Sequence, residues 1–340
     1  MQYFEKLIGN DASRGIFARH IERGTLAHAY LFCGPDGSGK EFFARQILAA
    51  LGCENGTARP CGSCPSCRKI LNDQSADVHT VDVDRGKSFI TVDKIRAMKE
   101  EAVILPNDLD CKAFLIRSAS RMNVQAQNAL LKLLEEPPAG VYLFLLCEDT
   151  SALLPTILSR VETIRMQRFS PAELEEILRR DKETGAKLAK DPQNTRRLLR
   201  LADGAIGQAR ELLGRTAAQL ASDERMHAFT VARSILEDRL LAKGNRTGRL
   251  SMLQKELTAR EDCAAVVSRL CDAMHDLLAL KRGGGTDSLL YFTDEEDGSL
   301  FADALSAAEA SGLYTRLLTL QKQMDANLNL SALLWQLGEL

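Results

Sequence analysis

Two groups of residues in this chain have the types and the spacing to do chemistry. The first is Gly34-Pro35-Asp36-Gly37-Ser38-Gly39-Lys40, set between the apolar run Ala29 to Cys33 and the helix-forming run Glu41 to Ala50. Glycines at these points let backbone N–H groups converge on one anion, and a helix opening there adds its positive end. The pattern Gly34-x4-Gly39-Lys40 fits a P-loop, with Lys40 placed to reach the outer phosphates. One position departs from it. Glu41 stands where a Ser or Thr hydroxyl would bind Mg²⁺. A carboxylate there either touches a metal or repels the phosphates, so a working P-loop and one stripped of its chemistry are both open.

The second group is Cys53 with Cys61, Cys64 and Cys67. Three cysteines at successive C-x2-C spacing fit thiolates converging on one ion better than a set of disulfides, and Cys53 supplies a fourth ligand. Four protein ligands close a tetrahedral site, which makes a bound Zn²⁺ structural rather than catalytic. Free thiols on a loop are the plain alternative. Cys33, Cys111, Cys147, Cys263 and Cys271 lie singly in apolar runs, where packing is the default.

These groups must be held by a frame, and the frame is legible. Residues 5 to 28 read as a helix with Ile16, Phe17, His20 and Ile21 on one face and Gly24 as its stop. His28, at a strand entrance, reads as a packing or capping residue. Strands are expected at 29–33, 78–83, 113–116 and 141–147, and helices at 91–103 and 124–135, the latter capped by Asn123 and stopped by Pro137-Pro138. Continuous apolar strands alternating with helices predict a three-layer α/β domain with a mostly parallel sheet over residues 1 to 168. In an active P-loop ATPase the strand at 113–116 ends in an acid that holds Mg²⁺. Here it ends in Arg117-Ser118. With Glu41, that makes two departures at the two metal-handling points, and hydrolysis by this chain alone is not expected.

Ser170-Pro171-Ala172-Glu173 is a capping box that starts a new helical unit. No strand pattern follows. A small helical group over 169–214 precedes longer amphipathic helices over 215–340, broken at Gly244 and at Gly283-Gly284-Gly285, with Asp294 to Gly298 read as a solvated acidic loop. At 340 residues and 45% apolar, the chain can bury two or three cores. A net charge of −2 supplies no global pull toward nucleic acid. No apolar run reaches the roughly 20 residues of a membrane span, and Met1 to Lys6 carries no export signal. A cytoplasmic protein without membrane partners is expected.

The chain resembles the delta-prime subunits of bacterial DNA polymerase III clamp loaders, members of the AAA+ superfamily. The residues that carry the resemblance are His28 to Phe32 before the P-loop, the four-cysteine insertion after the P-loop helix, Asn128 to Pro137, Leu154 to Arg160, and Asn327 and Asn329 ahead of a helix carrying Trp335. The resemblance implies a helical lid at 169–214, a C-terminal collar domain at 215–340 that builds a ring, and ATP held between neighbouring subunits. It implies gamma/tau and delta subunits as partners, and the beta sliding clamp and primed DNA as what the assembly handles. The family's Ser-Arg-Cys motif reads Ser159-Arg160-Val161 here, so Arg160 is implied as an arginine finger acting on a neighbour's ATP while Val161 reads as packing. Active relatives carry a nucleotide-sensing arginine in the lid; Gly207 takes that place in Gly204-Ala205-Ile206-Gly207, with Arg210 nearby.

Three readings follow. The leading one is a non-hydrolysing clamp-loader subunit presenting Arg160 to a neighbouring ATPase, with ATP or ADP at Gly34, Gly37, Gly39, Lys40 and Glu41 left open. The second is an active, gamma/tau-like motor using Lys40 with Glu41 as an unusual metal ligand. The third is a zinc-dependent DNA-binding module with Arg59, Arg68 and Lys69 as a thin basic patch.

Overall fold

The computed structural model describes every residue except Met1, Lys6, Lys243, Asn245, 285–288, Thr293, 326–328 and Leu340. Gly285 and Asn327 therefore lie outside the described residues. The chain divides into two compact units, Met1–Arg168 and Phe169–Leu340.

The first unit is built on a five-stranded parallel sheet. Its strands are β2 (Ala29–Cys33), β4 (Val78–Val81), β5 (Lys112–Ile116), β6 (Val141–Cys147) and β7 (Glu162–Arg165), in the order β4-β5-β6-β2-β7. A separate two-stranded pairing joins β1 (Gln2–Tyr3) to β3 (Ala58–Arg59). The helices are α1 (Asp11–Arg23), α2 (Lys40–Leu51), α3 (Pro65–Leu71), α4 (Val92–Ala102), α5 (Val124–Glu135) and the short α6 (Pro155–Leu158).

Alternation along the central strands sorts their side chains into two cores. Tyr30, Phe32, Leu115, Phe144 and Leu146 face a layer with Phe17 and Phe43. Leu31, Phe114, Ile116, Leu143 and Leu145 face another with Ile95, Leu130 and Leu134. The strands are apolar on both faces because both are covered. The aromatic side is dense: the Phe17 ring lies 4.8 Å from Tyr30, and the Phe32 ring 5.8 Å from Phe43.

Asn123 caps α5 by accepting the Ala126 N–H at 2.8 Å. The first helix is shorter than the expected 5–28. Gly9 and Asn10 adopt left-handed φ values of 74° and 51° and break the chain ahead of Asp11, and Gly24 ends the helix at φ 65°, donating to His20 and Ile21 carbonyls. His28 has a structural partner: its Nε2 lies 2.8 Å from the Leu134 carbonyl oxygen, joining the start of β2 to the end of α5.

The second unit is helical among its described residues, and its helices share one core, from Leu174 to Leu337. The Ser170–Glu173 capping box opens it, with both reciprocal hydrogen bonds formed. One expectation is corrected here. The acidic stretch at 294–298 is not a solvated loop but the start of the helix Glu295–Ala302. Asp294 accepts the Asp297 N–H at 2.9 Å, and Asp297 pairs with Arg233 at 2.8 Å. Carboxylates in a first helical turn face the positive end of the dipole, so the charge run favours a helix start. None of the described helices is long and apolar enough to cross a membrane.

Candidate nucleotide, metal and arginine sites

The glycine-rich loop leaves the sheet between two strands. Gly34 follows β2 and donates its N–H to the Cys147 carbonyl of β6 at 3.1 Å. A Cβ at Gly34 would sit 2.4 Å from the Met166 carbonyl oxygen, so only glycine fits. Gly37 and Gly39 take φ values of 78° and 79°, the left-handed region that glycine enters without strain. Lys40 opens α2, and its Nζ donates to the loop's own carbonyls, Gly34 at 2.6 Å and Pro35 at 2.9 Å. Ser38 is fully buried and its hydroxyl has no hydrogen-bond partner among the described residues. The loop thus has the left-handed glycines and the following helix that a phosphate-binding loop requires, with Lys40 at the start of that helix.

The two departures turn out to be one feature. Arg117 Nε donates to Glu41 Oε2 at 2.7 Å, and its Nη2 donates to Oε1. Arg45, one helical turn on, adds bonds to the same Oε1 at 3.0 and 2.9 Å, and also pairs with Asp73 at 2.9 Å. Burial works to raise the Glu41 carboxyl. The hydrogen bonds from Arg117 and Arg45 outweigh it and hold the group below the usual carboxylate range. The same bond to Glu41 holds Arg117 above its usual value. The positions that share one Mg²⁺ in an active P-loop enzyme are bridged here by a guanidinium and a carboxylate. A carboxylate spoken for by two arginines is a poor metal ligand.

All four predicted metal ligands converge. The sulfurs of Cys53, Cys61, Cys64 and Cys67 lie within 4.8 Å of one another, close to the spacing of about 3.8 Å that tetrahedral Zn–S bonds of ~2.3 Å require. The donor set is purely sulfur, which suits a soft, closed site. Backbone N–H groups point at the sulfurs, Cys64 to Cys61 at 3.3 Å and Cys67 to Cys64 at 3.4 Å. The hydrogen bond from the Ser63 hydroxyl, with those of nearby N–H groups, brings the Cys61 thiol down to about 5. These residues fit a metal ion, and the ion would cross-link the loop after α2 to α3. The cluster is tied to the P-loop helix, since Cys67 Sγ lies 3.5 Å from the Ala49 carbonyl. It is tied equally to the N-terminal strand through β1 and β3.

Arg160 lies just beyond α6 on the surface. Its Nη1 donates to the Thr156 carbonyl at 3.0 Å and to Ser159 Oγ at 3.2 Å, and its Nη2 pairs with Glu135 Oε1 at 2.7 Å. Val161 packs against the core, as its apolar side chain suggests. In the second unit, a Cβ on Gly207 would meet nothing within 4 Å, and Arg210 lies 3.7 Å from Asp181.

Other sequence candidates separate. Of the thin basic patch, Arg59 donates to the Asn55 carbonyl and Lys69 pairs with Asp108. Cys33 and Cys147 are not solitary, because parallel pairing sets them side by side at the strand ends. Sequence reasoning missed Arg45 and Glu135. Arg45 carried a signal, its i+4 spacing from Glu41 on a helix; Glu135 carried none that local spacing reveals.

The profile of the family described as DNA polymerase III, delta subunit, matches residues 9–170. The chain is 35% identical over 222 residues to DNA polymerase III subunit tau of Salmonella typhimurium, covering 62% of this chain and 32% of the relative. It is 37% identical over 158 residues to subunit delta' of Bacillus subtilis, covering 46% of this chain and 47% of the relative. Against subunit tau of Bacillus subtilis the match runs over 330 residues at 26% identity, 94% of this chain and 57% of that one. The chain thus spans between about a third and a half of the first two relatives' lengths. The sheet, its loop and these matches agree over the first unit: residues 9–170 match the DNA polymerase III delta-subunit family, and the chain is similar to the tau and delta' subunits of that polymerase.

Proposed function

We propose that this chain is the delta-prime-type, non-hydrolysing subunit of a DNA polymerase III clamp loader. The observation that carries the reading is the Glu41–Arg117 pair. Phosphoryl transfer at a P-loop needs Mg²⁺ between the β- and γ-phosphate oxygens, held by a hydroxyl after the lysine and an acid at the strand end. This chain offers neither, and its Glu41 is committed to two guanidiniums. The lid position Gly207 in place of a sensing arginine supports the same reading.

In this role Arg160, with Ser159 beside it, is presented to the nucleotide of a neighbouring gamma/tau-type ATPase. Positive charge aimed at the γ-phosphate stabilises the transition state, and this works without chemistry in the donor subunit. Residues 169–214 serve as the lid and 215–340 as the collar that joins the ring with delta and gamma/tau. The assembly opens the sliding clamp and loads it on primed DNA. Zn²⁺ at Cys53, Cys61, Cys64 and Cys67 is structural.

A second reading, an active gamma/tau-like motor, is favoured by the intact loop backbone and the position of Lys40. ATP turnover by the purified chain, with and without Mg²⁺, separates the two. No turnover is expected in either condition. Mg²⁺-dependent turnover that is lost in Lys40→Ala would overturn the non-hydrolysing assignment.

A further inference from the structure

Arg160 does not stand free on the surface, and the way it is held suggests a purpose for a carboxylate at the end of α5. Glu135 is the last residue of α5 and is followed by Glu136. Carboxylates at that end of a helix face the negative end of its dipole, so local stability argues against acids there. Glu135 is nevertheless backed by a rigid frame. The carbonyl of the preceding residue, Leu134, lies 2.8 Å from His28 Nε2 at the start of β2, and Leu134 itself is buried in the core. From that frame Glu135 reaches Arg160 Nη2 at 2.7 Å, across the sequence from the end of α5 to the second residue beyond α6.

We propose that Glu135 is a positioning residue for Arg160, holding its guanidinium ready for a phosphate of a neighbouring subunit. This rests on the reading of Arg160 as the residue presented to that phosphate. A guanidinium has five N–H donors in a fixed plane. Bonds to Thr156, Ser159 and Glu135 engage three of them. Two donors remain for an incoming oxyanion with all three tethers in place, so the carboxylate orients the cation rather than sequestering it. A long, half-exposed side chain otherwise samples many rotamers, and a group fixed beforehand at the place where charge develops is more effective than one that must be ordered during the reaction. Thr156 and Ser159 hold Nη1 alone; Glu135 adds the second point that fixes the plane.

The test uses the complex reconstituted with an ATP-hydrolysing clamp-loader subunit. Arg160→Ala, Glu135→Ala, Glu135→Gln and the double variant Glu135→Ala/Arg160→Ala are compared for kcat, for KM for ATP and for assembly by mass. Glu135→Ala is expected to lower kcat about fivefold, with KM and assembly unchanged, since one of three tethers is lost and the finger itself remains. Glu135→Gln keeps an acceptor oxygen and is expected to retain most of the rate. The double variant should be no slower than Arg160→Ala alone, because Glu135 acts only through Arg160. A Glu135→Ala complex at or above the wild-type rate overturns the proposal. So does a double variant slower than Arg160→Ala by the full Glu135→Ala factor. Should Arg160→Ala itself leave kcat unchanged, the finger reading fails first, which separates that failure from this one.

Discussion

Replacing Glu41 with Gln removes a charge while keeping the shape of the side chain, and it tests whether the Glu41–Arg117–Arg45 cluster replaces a metal site with a structural bond. Glu41 accepts from Arg117 at 2.7 Å and from Arg45 at 2.9 and 3.0 Å. A hydrogen bond to a charged group is worth about 1.5–3 kcal/mol when buried, whereas an exposed ion pair is worth about 0.2–1 kcal/mol. Glu41 is 31% exposed and Arg117 37%, but Arg45 only 7%. The contribution therefore lies between the limits, at about 2 kcal/mol, with the Arg45 side supplying more of it than the screened Arg117 side. For the first unit, Met1–Arg168, unfolding as its own transition, about 2 kcal/mol corresponds to a fall in Tm of roughly 4–8 °C, read by calorimetry at pH 7. The pH dependence has a definite sign. The folded carboxyl lies below its ordinary value, so its stabilisation is present above the unfolded value of about 4.3 and is lost as pH falls through the folded one. Wild type and Glu41→Gln should converge in acid. Equal Tm values at pH 7, or a gap that persists in strong acid, would refute the reasoning.

Other outcomes follow from the same geometry. The purified chain should carry one Zn²⁺ released by chelator or by thiol-modifying reagent, and Cys64→Ser should lower its content and its Tm together, measured by metal analysis and calorimetry. Because β3 pairs with β1, metal removal should also raise hydrogen exchange at Tyr3 and Phe4, a change that a cluster of free thiols would not produce. Asn123→Ala should cost about 1 kcal/mol by loss of the α5 cap, read by denaturant unfolding; no change would mean that α5 is held by packing alone.

The elements that local chemistry controls were legible in the residue order. Alternating apolar strands, Asn123, Gly24 and the Ser170–Glu173 box each act within a few residues, through caps and turns that do not depend on the rest of the chain. The cysteine spacing was equally local, since three ligands share one short loop and α3 start, and only Cys53 needed the fold to bring it in. The acidic run at 294–298 was misread because composition alone does not separate a charged loop from a helix N-terminus, and the Arg233 that pairs with Asp297 is distant in sequence. Glu41 and Arg117 were visible separately as two missing metal ligands. That they are partners, 76 residues apart, was decided by the parallel sheet, in which β5 and β2 flank β6 and end at the same edge, so that Arg117 after β5 reaches the start of α2. Glu135 and Arg160 are the same kind of fact. Their contact exists because α5 and α6 pack on one face of the sheet, and no period in the sequence encodes it. The sequence by itself determined a parallel α/β unit with a phosphate-loop backbone, a four-cysteine cluster and a helical second half. Tertiary structure alone decided which charges neutralise one another, because an ion pair depends on distance through space and pattern along the chain carries no record of it.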